Sequence, residues 1–412
     1  MAVSLLTGGS DKPYVIGLTK ELRAKGVQLD LIGSDELNCP ELQSRPGLNF
    51  LKLRGGQDPK VPFIEKILRI VKYYARLIFY AFFSTPQIFH ILWNNKFDTF
   101  DRTLLMFYYR LLGKRIVLTA HNVNAAKRDR RDSPLNRFTL RMQYQLAHSI
   151  FVHTDKMKQE LISDFAVEPS RVTVIPFGIN NAVPHTSLAT SDARRRLGLQ
   201  DGQKTILFFG RITPYKGLEY LIAAFRSLSV EDQTYRLIIA GRPNNCEQYW
   251  KEVQKSFQDE LQSGRIVLHS GYIPDEDVEL YFKAANVLVL PYRQIYQSGV
   301  LFLSHSFGLP VLAADVGSLG DDIVEGENGS LFQPEDSKDL ASALKKYFSS
   351  NLCEKLDELR PQIQFRSTER HSWNLVGEST VNIYNNLLKV RPARYWFSRG
   401  QRRPRLNMRT PS

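Results

Sequence analysis

Apolar, β-prone runs alternate with amphipathic helical runs in two series along this chain, and this double alternation limits the folds open to it. In the first series "AVSLLTGG" is a buried strand entering a glycine loop. "PYVIGLTKELRAKG" is a helix closed by Gly26, and "VQLDLIGS" is the next strand. "QIFHILW", "DRTLLMFYYRLLG", "RIVLTAHN", "SPLNRFTLRMQYQLA" and "HSIFVHT" continue the pattern. After Phe177 a polar stretch interrupts it, and the alternation restarts at "TILFFG", "GLEYLIAAFRSL" and "YRLIIAG". Strands that are apolar on both faces and separated by helices predict parallel sheets covered on both sides. At 412 residues the chain also exceeds what one hydrophobic core supports. The expected class is therefore α/β: two Rossmann-like, doubly wound parallel-sheet domains facing across a cleft. The divisions read from the sequence are 1–177, 178–365, a C-terminal helix at 366–388 packing back on the first domain, and a basic tail at 389–412.

The net charge of +13 has a local source, for eight Lys and Arg and no acidic residue lie between Lys389 and the C-terminus. Such a tail is either solvated or held at anionic lipid headgroups, where Trp396 and Phe397 add apolar anchors. No nucleic-acid module precedes it, so nucleic acid is not an expected partner. The uncharged run from Leu77 to Asn95 is interrupted by Pro86 and is too polar at its centre to span a bilayer. It divides into an amphipathic helix, Pro62 to Phe83, with Glu65, Arg69, Lys72 and Arg76 in one polar stripe, and a strand. Cys39, Cys246 and Cys353 have neither disulfide nor metal-ligand spacing, and no secretory leader is read at the start. These features predict a cytoplasmic protein, peripheral on a membrane face, with no metal site.

Two stretches carry the chemistry. In "TILFFGRITPYKGLEYLIAAF" a buried strand ends at Gly210, Arg211 follows, and Lys216 precedes a helix. A guanidinium, an ammonium and a helix N-terminus together suit phosphate oxygens. In "IYQSGVLFLSHSFGLPV" Ser298, Gly299 and Val300 open a second helix after a buried strand, so its first amides lack intrahelical acceptors. A diphosphate gripped by both stretches needs no metal ion.

These residues, with "FGLPVLAADVGSLGDDIVEGENGSLFQPEDSKDLASAL" and "HSWNLVGESTVNIYNNLL", resemble the C-terminal half of group 4 glycosyltransferases, which have the two-domain GT-B architecture. Gly8-Gly9 after the first strand and His121 in "LTAHNV" resemble the family's front half. The resemblance implies transfer of a sugar from a nucleotide-diphosphate sugar to a carbohydrate or lipid-linked acceptor. It implies that Arg211 and Lys216 contact the diphosphate, with Gly210, Gln297, Ser298, Gly299 and Val300 around the donor and Tyr272 and Ile273 near its base. His121 is implied beside the transferred sugar, and Gly8, Gly9, Ser10, His121 and Asn122 toward the acceptor. The expected catalytic set is His121, Arg211 and Lys216. One departure stands out: the family's two glutamates fall at Ile295 and Leu303. Retention is the family's usual outcome, but their loss leaves the stereochemistry open. An inverting route directs attention to His121 and Asp129 as bases. The cluster Lys127, Arg128, Arg130 and Arg131 suits an acidic or lipid-diphosphate acceptor. The competing readings are a silent GT-B scaffold, which the missing carboxylates favour, and a nucleotide-sugar epimerase, which needs such carboxylates. "GGSDKPY" lacks the spacing of a nicotinamide-binding loop.

Overall fold

The computed structural model describes residues 1–8, 11–56, 61–129, 131–179 and 183–389. Gly9, Ser10, Arg130 and the tail from 390 onward, with Trp396 and Phe397, lie outside the described residues.

The first series of strands is β1 (Ala2–Leu6), β2 (Gln28–Ile32), β3 (Leu48–Leu51), β4 (Ile88–Ile91), β5 (Arg115–Thr119), β6 (Ser149–Val152) and β7 (Val172–Val174). They form one sheet in the order β3-β2-β1-β4-β5-β6-β7, with parallel pairing throughout. The second series is β8 (Lys204–Phe209), β9 (Tyr235–Ala240), β10 (Ile266–His269), β11 (Val287–Leu290), β12 (Val311–Ala314) and β13 (Gly329–Phe332). Its order is β10-β9-β8-β11-β12-β13, again parallel. In each sheet the order reverses beside the first strand, β1 or β8. Ligands of open α/β sheets bind at such a reversal, outside the carboxyl ends.

Helices α1 (Lys12–Ala24), α2 (Phe63–Phe83), α3 (Met106–Leu111, continuing a π turn at Asp101–Leu105), α4 (Pro134–Leu146) and α5 (Asp155–Phe165) cover the first sheet. Tyr73, Leu77, Tyr109, Leu140 and Leu161 of α2 to α5 share one apolar cluster, and α1 lies in the cluster on the opposite face. In the second domain α6 (Leu218–Glu231), α7 (Asp275–Ala284), α8 (Gly299–Ser306), α9 (Ser337–Phe348) and α10 (Leu356–Arg370) enclose the other sheet. The helix that returns to the first domain is α11 (Trp373–Lys389), while residues 366–370 complete α10. Trp373 seats α11 between Gly17 of α1 and Gly178 of the linker, where any added Cβ would meet the indole. Its Nε1–H donates to the Ile179 carbonyl at 2.9 Å. At the middle of α11, the Tyr384 hydroxyl lies 2.6 Å from Nδ1 of buried His90 on β4.

Candidate functional site

The half of the cleft expected to hold the donor is built at the ends of β8 and β11. Gly210 follows β8 with φ +98°, a conformation that costs glycine little. A Cβ there would lie 3.3 Å from Lys216 Nζ and 3.5 Å from a methyl of Val300, so the glycine leaves the space between them open. Lys216 ends a short 3-10 turn, Pro214–Lys216, and Gly217 follows with φ +63°, pressed on the Pro291 carbonyl. The Lys216 side chain is buried, and its ammonium stands 5.3 Å over the Tyr292 ring. It pairs with no carboxylate among the described residues. Burial, and beyond it the positive charges of Arg211 and Arg128, push its pKa below the ordinary lysine value. Arg211 is exposed at the same strand end.

Ser298 is buried at the N-cap of α8, but its side chain caps no amide; its Oγ lies 3.4 Å from the Tyr292 hydroxyl. The opening amides of α8 thus start beside Val300 and the Lys216 ammonium. Gly299 is exposed and faces Phe177 of the linker. Of the remaining donor-side expectations, Gln297 turns to Asp322, donating from Nε2 at 3.2 Å and leaving Oε1 buried without a partner. Tyr272 is exposed on the loop after β10, and Ile273 packs partly against the domain core. That loop is tied to the end of β9 through Gly271, whose N–H donates to the Gly241 carbonyl. Ile295 and Leu303 both sit in the apolar core of this domain. The positions to which the resemblance assigns the glutamates are thus filled by core packing.

The facing half is an aromatic and imidazole cluster at the ends of β1, β4, β5 and β6. Gly8, with φ +58°, abuts the carbonyls of Trp93 and Asn94. His121 stacks on Trp93 at 4.1 Å with planes 5° apart, and Tyr14 meets it edge-on at 4.7 Å. Its Nδ1 lies 3.0 Å from Nε2 of His153, whose Nδ1 is 3.3 Å from the Ile175 carbonyl. A carbonyl only accepts, so His153 carries its proton on Nδ1. Burial pushes the His153 pKa down to about 4, and burial pushes His121 lower than its ordinary value as well. Both rings are therefore neutral at pH 7. His153 Nε2 then accepts from His121 Nδ1–H, leaving His121 Nε2 a bare acceptor with no partner in the protein. His121 also helps line a cavity of about 220 Å³, with Trp93, Asn94, Arg102, Asn122 and Gln143. A larger cavity of about 390 Å³, with His305, Arg366 and His371 in its wall, contains neither Lys216 nor His121.

Two expectations are corrected. Asp129 is held by its neighbour Arg128 in two hydrogen bonds, at 2.7 and 3.0 Å, and is not a free base. Within the basic cluster, Lys127 pairs with Glu160 and Asp164, and the Arg128 guanidinium lies 4.4 Å over Tyr215 of the other domain. These two cations join protein to protein.

Several contributors escaped the sequence reading. His153 ends a strand as His121 does, and that signal was available. Phe177 touches His121 and His153 and stacks on Phe302 of α8 at 5.3 Å, a link visible only in three dimensions. Asp11 caps α1 by accepting from Tyr14 N–H at 3.2 Å. Burial raises its pKa, and the charge of Arg211 across the cleft acts against that rise.

The family model described as "Glycosyltransferase Family 4" matches residues 13–183, and that described as "Glycosyl transferases group 1" matches 190–364. A D-inositol 3-phosphate glycosyltransferase of Acidothermus cellulolyticus is 27% identical over 249 residues. That alignment takes in 60% of this chain and 54% of the relative, so the chain spans about half the relative's length. Sucrose-phosphate synthase from Thermosynechococcus elongatus superposes with a TM-score of 0.74 at 18% identity, over 94% of this chain and 99% of that one. Anabaena Alr3699/HepE, solved in complex with UDP-glucose, gives 0.71 at 14% identity over 93% and 99%.

Proposed function

We propose, from the premise that this chain belongs to the glycosyltransferases of group 1 and family 4, that it transfers a sugar from a nucleoside-diphosphate sugar to an acceptor hydroxyl. One observation carries the reading: a buried ammonium, Lys216, without a carboxylate partner beside the uncapped start of α8. A buried cation in that position calls for an anion. The diphosphate of the donor meets Lys216, Arg211 and the amides of Gly299 and Val300. When the bond from the anomeric carbon to the phosphate oxygen breaks, its electron pair stays with the nucleoside diphosphate, and these groups stabilise that growing charge. The acceptor oxygen bonds to the anomeric carbon and gives its proton to the departing phosphate oxygen. His121 Nε2, a bare acceptor, orients a hydroxyl of the sugar or the acceptor. The fixed cations supply the neutralising charge, so turnover is expected to survive excess chelator. We assign the acceptor, a carbohydrate or lipid-linked sugar, to the cavity beside His121 and Trp93. A lipid-linked acceptor would bring the chain to a membrane surface, and three unpaired thiols suit a reducing cytoplasm.

A silent scaffold is the second reading, favoured by the burial of Ile295 and Leu303 where the family has carboxylates. Calorimetry with a panel of nucleoside diphosphates, followed by turnover of the matching sugars, decides. The expected result is one preferred base, with affinity reduced about 10- to 100-fold in Lys216→Met, as loss of charge-assisted hydrogen bonds requires. Binding without turnover of any sugar would support the scaffold. No binding, or binding indifferent to Lys216, overturns the donor site.

A further inference from the structure

The outer surface of the first domain concentrates exposed apolar side chains among the described residues. Of the 22 exposed large hydrophobic residues among those described, 14 lie on α2, on α3 with its π turn, and on α4. A surface helix ordinarily buries its apolar stripe and shows water its polar one. Helix α2 has two apolar stripes. Tyr73, Tyr74, Leu77 and Ala81 face the sheet, while Ile64, Leu68, Val71, Phe79 and Phe82 follow helical spacing on the outward side. Leu68 is 62% exposed and Phe79 65%. The polar stripe with Glu65, Arg69, Lys72 and Arg76 runs along the edge of this outward face instead of forming it.

The surface continues sideways. Helix α3 joins α2 through the Tyr108 hydroxyl, which donates to the Ile78 carbonyl at 3.2 Å, and adds exposed Leu104, Phe107 and Leu111. Arg102 of the π turn donates to Asn136 of α4 at 2.9 Å, and α4 adds Leu135 and Phe138. Three helices linked by these contacts thus carry exposed apolar side chains on adjoining parts of the surface. Exposed apolar patches of this extent mark interaction sites.

We propose that this three-helix face docks onto an anionic lipid bilayer, the apolar side chains entering the headgroup–acyl boundary and Lys72 and Arg76 meeting lipid phosphates. The inference rests on the transferase reading only in expecting a lipid-linked acceptor. Charge selects the occupant. Lys72 and Arg76 are exposed and pair with no acidic residue among those described, and the whole chain carries +13. A cationic edge beside an apolar face matches anionic headgroups, whereas a second copy laid two-fold on the same face would oppose like charges. The segment lies on the membrane and does not cross it, because no described helix is long and apolar enough to span one.

The full chain is tested by co-sedimentation with vesicles of phosphatidylglycerol and of phosphatidylcholine. The expected result is binding at least tenfold stronger to the anionic vesicles. Leu68→Glu/Phe79→Glu loses at least tenfold of it, and Lys72→Gln/Arg76→Gln loses it most at low salt. All four positions are exposed, and a thermal melt checks that each variant folds. Phe79→Trp gives a second signal, a blue-shifted emission on adding anionic vesicles. Unchanged sedimentation of the Glu pair overturns the proposal. So does a dimer that becomes monomeric in that pair, which would assign the face to self-association. Nucleoside diphosphate binding, measured on the same variants, is expected to be unchanged, so failure here is separable from failure of the donor site.

Discussion

Lys216 makes the proposed donor site sensitive to pH in a direction its surroundings set. Burial and two neighbouring cations lower its pKa, and a diphosphate favours the charged form. As pH rises through that lowered value the ammonium is lost. Nucleoside diphosphate affinity should therefore begin to fall below the pH near 10.4 where an ordinary lysine titrates. Calorimetry from pH 7 to 10 measures this, and Lys216→Arg should keep its affinity to higher pH. His153 is a positioning residue, setting which nitrogen of His121 is bare. In His153→Phe the His121 proton has no acceptor at Nδ1 and can move to Nε2. Turnover should drop about 100-fold, at the low end of single acid–base contributions, with the donor KM little changed. The His121 nitrogen resonances should report the other tautomer, and His153→Gln, whose amide oxygen still accepts, should restore part of the rate. Lys216 was legible in the sequence because a strand, a loop and a helix start lie within one short window. The His121–His153 pair was not, since its two rings come from different strands and their tautomers depend on the Ile175 carbonyl.

Among elements, α11 packs back on the first domain as its place in the sequence suggested. Trp373, wedged against Gly17 and Gly178, and Tyr384, bonded to His90, are the contacts that seat it, and they are visible only in three dimensions. Trp373→Ala should cost about 3–5 kcal/mol through lost burial and a residual cavity. Urea unfolding measures that cost, and protease cleavage near residue 372 should accelerate as α11 loosens from α1. Most strands were readable because both their faces are buried and their apolar runs are continuous. The exceptions, β3, β7 and β13, are edge strands of four, three and four residues with partly exposed residues, too short to show a period. In α2 the sequence pattern identified a polar stripe correctly but not the side the sheet would cover. Two apolar stripes flank that stripe, and the tertiary packing uses one of them.

At the scale of the whole molecule, the two domains are clasped across the cleft by contacts beside the proposed chemistry. The Tyr296 hydroxyl, one residue before Gln297, donates to Glu160 at 3.0 Å and accepts from Asn124 N–H at 3.2 Å. Lys156 donates to the Gly317 carbonyl, and Arg128 lies over Tyr215. Glu160, Asn124 and Arg128 belong to the first domain and Tyr296 and Tyr215 to the second, so these contacts bridge the two. Closure would also bring His121 toward the donor seat and exclude water, which competes with the acceptor for the transferred sugar. Tyr296→Phe removes both hydrogen bonds and keeps the ring, each bond contributing about 0.5–1.5 kcal/mol. The expected consequence is a more open population, read as a larger radius of gyration by small-angle scattering. Donor affinity should weaken a few-fold, and hydrolysis of the nucleotide sugar without acceptor should rise relative to transfer. A variant that opens the cleft but leaves this partition unchanged would show that the clasp sets shape alone. A rise in hydrolysis without a change in shape would place Tyr296 in contact with the substrate instead.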